Sequence, residues 1–175
     1  MNGFPYLSVI TFLPLAGAVA LLFVPKEQHR ILRWTALGTS LATFVVAVVM
    51  LVQYDAGQAG FQFVERATWV EPLHMQYLLG VDGISLFMVV LTTFLMPLGV
   101  LISWRIERQV KNYMMAFLAL QTFLLGSFVA LDLLLFFFFF EAMLFPMYLI
   151  IGGWGSERRL YAAVKFFLYT MGGSA

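Results

Sequence analysis

YMMAFLALQTFLLGSFVALDLLLFFFFFEAMLFPMYLII, residues 113–151, is a run of 39 residues whose only charged members are Asp132 and Glu141. A transmembrane helix needs about 20 predominantly apolar residues. The run therefore reads as two spans joined by a tight turn at Leu131 and Asp132. The second span covers 132–151 and carries Glu141 near its middle, at the depth of the bilayer centre. An acidic side chain there costs about 2.5–3.5 kcal/mol on insertion scales. The spans decide the fold class, and the function turns on what that carboxylate is for.

Working outward, the whole chain has the same character. Its 175 residues are 62% hydrophobic and 11% charged, with a mean hydropathy of +0.92. A soluble domain carries about 25% charged residues, so the composition specifies an integral membrane protein. The formal net charge of +1 offers no basic arm for nucleic acid. Cysteine is absent and there are two histidines, His29 and His74. Disulfides, thiolate clusters and zinc knuckles are thereby excluded, and a haem or iron–sulfur centre has almost no ligands to use. Electrons of any associated redox machine travel elsewhere. The first residues lack the basic region of a secretory signal and read as a permanent span.

Four further segments complete the pattern. Span 1 covers 6–24, with Pro14 inside it and Pro25 closing it. Span 2 covers 31–53 and span 3 covers 81–104. Between them, residues 54–80 form the one long non-apolar segment, and its alternating stretch GFQFVERATWVEP predicts a small β-hairpin outside the membrane. After span 5 the glycines of GGWGSERR are expected to end the helix. Residues 160–175 begin a sixth span. Sixteen residues reach roughly 24 Å, against a hydrocarbon core of about 30 Å, so this span is read as incomplete. The fold class expected is an all-α polytopic bundle with five complete spans, the start of a sixth and a small outer hairpin.

Charge counting orients the bundle. Lys26, Arg30, Arg33, Arg105, Arg108, Lys111, Arg158, Arg159 and Lys165 all fall on one side if the spans alternate, and only Arg66 falls on the other. The basic side faces in, which places the N-terminus outside.

Each candidate for chemistry has a structural reading beside the functional one. Glu141 is either a packing carboxylate or a relay whose pKa is raised by desolvation and lowered by an approaching cation. Pro146 lies five residues on and removes the hydrogen bond to the Ala142 carbonyl, which produces a kink and, in the functional reading, lets water in beside Glu141. Asp132 reads as the turn and N-cap residue of span 5. Lys165, just inside the sixth span, either snorkels to the basic interface or turns inward as a second relay group. Gln121 reads as a packing amide and Asp82 as a cap. Trp69, Tyr77, Trp104, Trp154 and Tyr161 read as interfacial anchors. No phosphate loop, nucleophile–base pair or metal-ligand spacing occurs in the sequence, so cofactor-binding and metal residues are none.

The stretches YLLGVDGISLFMVVLTTFLMPL and SFVALDLLLFFFFFEAMLFPMYLIIGGWGSERRLYAAVKFFLYTMGGS resemble the antiporter-like, proton-pumping subunits of respiratory complex I, specifically the chain M or chain 4 type of NADH–quinone oxidoreductase. The same core is shared by Mrp-type cation/proton antiporters and membrane-bound hydrogenase subunits. The resemblance implies a translocase subunit without a redox centre of its own. NADH, FMN, iron–sulfur clusters and quinone are then expected in other subunits, and neighbouring antiporter-like subunits and the bilayer are the expected partners. It implies that Glu141 matches a fifth-helix glutamate that pairs, in the family, with a lysine on a broken seventh helix. Lys165 matches a sixth-helix lysine. Residues 1–175 are expected to be one membrane domain, the N-terminal part of a longer subunit and unable to pump alone. The expected home is a bacterial plasma membrane. A Mrp-type antiporter or hydrogenase subunit and a purely structural scaffold are the alternatives.

Overall fold

A computed structural model describes residues 3–175, with the backbone alone at Leu73. The chain is mostly helical: α1 (Tyr6–Leu22), α2 (His29–Gln53), α3 (Gly83–Ile102), α4 (Val110–Val129), α5 (Leu133–Trp154) and α6 (Arg159–Ser174), with strands β1 (Gln62–Val70) and β2 (Met75–Val81) between α2 and α3. Four of the helices, α2 to α5, are long and apolar enough to cross a membrane, and α1 is a shorter apolar helix of 17 residues. The protein is an integral membrane protein.

Two apolar clusters show how the helices stack. One joins Leu7 and Ile10 of α1 to Met50 of α2, Leu86 of α3, Leu125 and Val129 of α4 and Leu135 of α5, with Leu79 and Val81 of β2. The other joins Leu21, Leu32, Val100, Val110 and Met114, from the opposite ends of α1 to α4. Successive helices therefore run in alternating directions, with the hairpin at one end and the Lys- and Arg-rich links at the other. Between the clusters lies a buried polar layer of Thr11, Ser40, Thr43, Thr92, Thr93, Gln121 and Thr122. Three of the six hydroxyls spend their proton on their own helix. Thr43, Thr92 and Thr93 each donate to a carbonyl four residues back. The Ser40 hydroxyl instead crosses to Gln121, 3.2 Å away, and ties α2 to α4.

The expected hairpin is present and does more than cover a surface. β1 and β2 pair antiparallel, with Glu65 opposite Leu79 and Ala67 opposite Tyr77. The connection turns through a 3₁₀ segment and His74, whose φ of 52° lies in the left-handed region. An unpaired sheet edge is a liability, and here the free edge of β2 is taken up by the α4–α5 turn. Leu79 bridges to Ala130, and the Leu131 N–H donates to the Leu78 carbonyl at 2.9 Å. Gly80 is needed for this approach, because a Cβ there would fall inside the Leu131 side chain. The hairpin thus fixes the turn from which α5 starts.

The other face of the hairpin caps α1. Pro5, at the N-cap position, has no side-chain acceptor to offer. The Glu65 carboxylate supplies one from β1, accepting the Leu7 N–H at 2.7 Å, the Ser8 N–H at 3.1 Å and the Ser8 hydroxyl. A carboxylate at a helix N-terminus satisfies free N–H groups and complements the helix dipole. Replacing Glu65 with Ala should lower stability by about 2 kcal/mol, the upper end of cap substitutions. Gln should cost less, since it keeps an acceptor. The thermal midpoint of the solubilised protein, with hydrogen exchange in α1, measures both, and an unchanged α1 in the Ala variant would show the cap to be idle. The same Ser8 hydroxyl lies 2.7 Å from the Tyr77 hydroxyl. Burial pushes the Tyr77 phenol above its ordinary pKa; the Ser8 bond works against this and the Glu65 charge adds to it.

Spans 1, 3 and 5 end differently from expectation. α1 stops at Leu22, before Pro25, and Lys111 of α4 closes it by donating to the carbonyls of Leu22 and Val24 at 2.8 and 2.9 Å. α3 begins at Gly83 because Val81 belongs to β2 and Asp82 caps the helix. The Asp82 carboxylate accepts from the Ile84 and Ser85 N–H groups, and the Ser85 hydroxyl accepts from the Asp82 N–H, a reciprocal capping box. These Ser85 and Ile84 bonds hold its carboxyl below the usual aspartate range. A depressed pKa stabilises the fold above the unfolded-state value of about 3.9, and that contribution is lost as pH falls through the lower folded value. Protection of the first α3 amides should fall over that acid range, whereas Asp82→Asn should flatten the dependence. An identical acid profile in the Asn variant would assign the loss to other groups.

The third difference concerns the glycines after span 5. Gly152 and Gly153 lie inside α5, which runs on to Trp154. Glycine weakens a helix by about 1 kcal/mol but does not forbid it, and tertiary contacts hold this last turn. The Trp154 indole N–H donates to the Arg108 carbonyl at 2.7 Å and its ring meets Tyr113 edge-on at 5.1 Å. Gly152 faces Ala163, so two small residues let α5 and α6 cross closely.

Candidate functional site

α5 begins at a fixed point. Asp132 is its N-cap, accepting from the N–H groups of Leu134 and Leu135 at 2.9 and 3.0 Å. Its other oxygen lies 3.4 Å from the Gln76 N–H of β2. Phe139 then locks the helix against α4: its ring lies on Gly126, where any Cβ would be overrun. Phe139 is 2% exposed, and Phe12 of α1 flanks it at 6.4 Å. Glu141 follows two residues later. It stands about 12 Å along a helix of about 33 Å, nearer the hairpin end than the middle because α5 extends to Trp154.

Glu141 is half-buried between α5 and α6. Its carboxylate accepts a hydrogen bond from the Ser174 hydroxyl at the far end of α6. The pairing follows from antiparallel packing of the two helices, which Tyr148 and Phe167 reinforce by an edge contact at 5.9 Å. A hydroxyl can donate to a carboxylate or accept from a carboxylic acid, so Ser174 is compatible with both protonation states of its neighbour.

Lys165 is not brought to this carboxylate. It lies nine residues before Ser174 on α6, roughly 13 Å along the axis. Its side chain is exposed, and its ammonium sits over Tyr161 and Tyr169 at 5.5 and 5.8 Å from the ring centres. Pro146 is buried inside an uninterrupted α5, and the Ala142 carbonyl, half-buried one residue beyond Glu141, loses its usual donor there. Gln121 is fully buried, with Ser40 as its partner. Among the described residues no group of three or more His, Asp or Glu could hold a metal.

Two residues of this arrangement escaped the sequence reading. Ser174 lies in a short MGGS tail with no pattern to mark it, and Glu65 lies on a strand between the exposed Val64 and Arg66. Both gain a role from partners 33 and 58 residues away.

The family described as NADH-ubiquinone oxidoreductase chain 4, amino terminus, matches residues 9–131. The chain belongs to this family. A second family, NADH:quinone oxidoreductase/Mrp antiporter, TM, matches residues 130–175. NADH-quinone oxidoreductase subunit M of Rhodobacter capsulatus is 52% identical over 96% of this chain and 33% of its own length. NADH-ubiquinone oxidoreductase chain 4 of Arabidopsis thaliana is 45% identical over 96% of this chain and 34% of its own. A chain in the structure of respiratory complex I from Thermus thermophilus with bound NADH is similar over 96% of this chain and 33% of that one, with a TM-score of 0.79 at 26% identity. This chain 4 family member thus spans about a third of the length of the curated relatives it matches.

Proposed function

We propose that this chain works within a proton-translocating membrane subunit of NADH:quinone oxidoreductase, with Glu141 as the carboxylate that gains and loses the proton. The similarity at 52% identity to a protein named NADH-quinone oxidoreductase subunit M carries the first part of the reading. Glu141 itself supports the second: it is an acidic side chain half-buried within an apolar helix, held by a hydroxyl that serves either protonation state. Lys165 is an accessory relay group in this reading. It would act through an element other than α5, since its side chain is exposed and its ammonium sits over Tyr161 and Tyr169 of its own helix.

α1 is counted as the fifth complete span, with the chain's start on the outer side together with the hairpin. The nine-to-one distribution of Lys and Arg supports that orientation. Residues 1–175 form a single membrane domain in this reading. NADH, flavin, iron–sulfur clusters and quinone are assigned to other subunits, and this chain supplies the proton-handling side chains. A bacterial plasma membrane is its expected home. The test is Glu141→Gln in the assembled complex, with proton pumping per NADH oxidised as the readout.

A further inference from the structure

Away from Glu141, the basic end of the bundle carries a second built feature. An apolar slot of about 570 Å³ opens between α1, α4, α5 and the start of α6. Its walls include Ala18, Ala116, Ala119, Phe145 and Leu149. The volume lies in the range of small-ligand sites, about 300–1,000 Å³. A polar pocket lined by Lys26, Glu27, His29 and Lys111 adjoins it. Gln109 and Asn112 line both, so the two form one continuous feature, apolar within and cationic at the mouth.

The mouth is preorganised. Lys111 spends two N–H groups on the Leu22 and Val24 carbonyls, and an ammonium has three. The third remains for an anion at a fixed place. Trp154 lies at the edge of the slot with its indole N–H held by the Arg108 carbonyl, which brings the Arg108 backbone to the same rim. Apolar depth, an indole at the boundary and lysines above it reproduce the profile of one leaflet of a bilayer.

We propose that this slot binds one anionic phospholipid, with an acyl chain between α4 and α5 and the phosphate at Lys26 and Lys111. Charge complementarity selects this occupant: the mouth carries two lysines against one glutamate. The binding is independent of the proposed role of Glu141.

Photocrosslinking in the native membrane tests the proposal directly. Phe145, 64% exposed on the slot wall, is replaced by p-benzoylphenylalanine, which keeps the ring, and the adduct is identified by mass spectrometry. Expected is an anionic phospholipid enriched about fivefold over its share of the membrane, the effect of one lysine near the surface. Lys26→Gln in the same background should remove most of that enrichment. An adduct to a protein segment, lipids captured in bulk proportion, or an enrichment indifferent to Lys26 would each overturn the proposal. So would absence of any adduct while the same probe at Phe94, on the exposed face of α3, captures lipid.

Discussion

Glu141→Gln is expected to remove most NADH-driven proton pumping while leaving assembly intact. Glutamine has the size of glutamate and keeps an oxygen that can accept from Ser174, so α5 and α6 retain their contact. What it cannot do is carry a charge or release a proton. A carboxylate and a cation 4 Å apart at an effective dielectric near 20 interact by about 4 kcal/mol. A neutral amide forgoes that interaction whenever a cation approaches. Asp, which keeps the charge but stands one methylene short, should retain a partial rate. Fluorescence quenching of a pH probe in inverted membrane vesicles, normalised to NADH oxidation, reads the effect. Normal pumping in both the Gln and a Leu variant would reduce Glu141 to a packing residue and sink the proposed function.

The second large effect is structural, and it reaches Glu141 through Gly126. A Cβ at position 126 would stand 2.6 Å from ring atoms of Phe139. The ring cannot swing away, because Phe139 is 2% exposed and packed within the larger apolar cluster. Gly126→Val should therefore push α5 off α4. Overpacking of this kind costs about 1–3 kcal/mol, and the rigidity of the site argues for the upper end. The displaced segment includes Glu141, two residues on, so pumping should fall together with the thermal midpoint. Gly126→Ala should do less. Adding Phe139→Leu should recover part of the loss by making room, and a double-mutant cycle on thermal stability measures that coupling. Additive effects would mean that the glycine is not there for the ring.

These cases show what could and could not be read from the chain. The α4–α5 pair was legible because span length and a polar turn residue are local signals, and Asp132 caps α5 where the turn was placed. Glu141 was legible because a charge in an apolar run is conspicuous. The hairpin was legible through alternation, though Val81 belongs to the strand and not to α3. The end of α5 was misread because glycine propensity is weak beside tertiary contact, and Trp154 is held by residues 46 and 41 positions earlier. Ser174 on Glu141, Ser40 on Gln121 and Glu65 on α1 were invisible for the same reason. Each is a single long-range hydrogen bond, and no periodicity announces which polar residue will find which. Lys165 and Glu141 were both singled out, yet nothing local fixed the distance between them.

The borrowed cap on α1 also sets a schedule. The acceptor that completes this helix is encoded 58 residues after the N–H it serves. At synthesis rates of about 5–20 residues per second, the first helix waits roughly 3–12 s for it. During that interval its leading turn has no side-chain acceptor of its own, and the hairpin must reach the same face of the membrane before the two can meet. Formation of the first helix is thereby completed only on the delivery of the hairpin, which makes Glu65 a checkpoint on the order in which the polypeptide is folded.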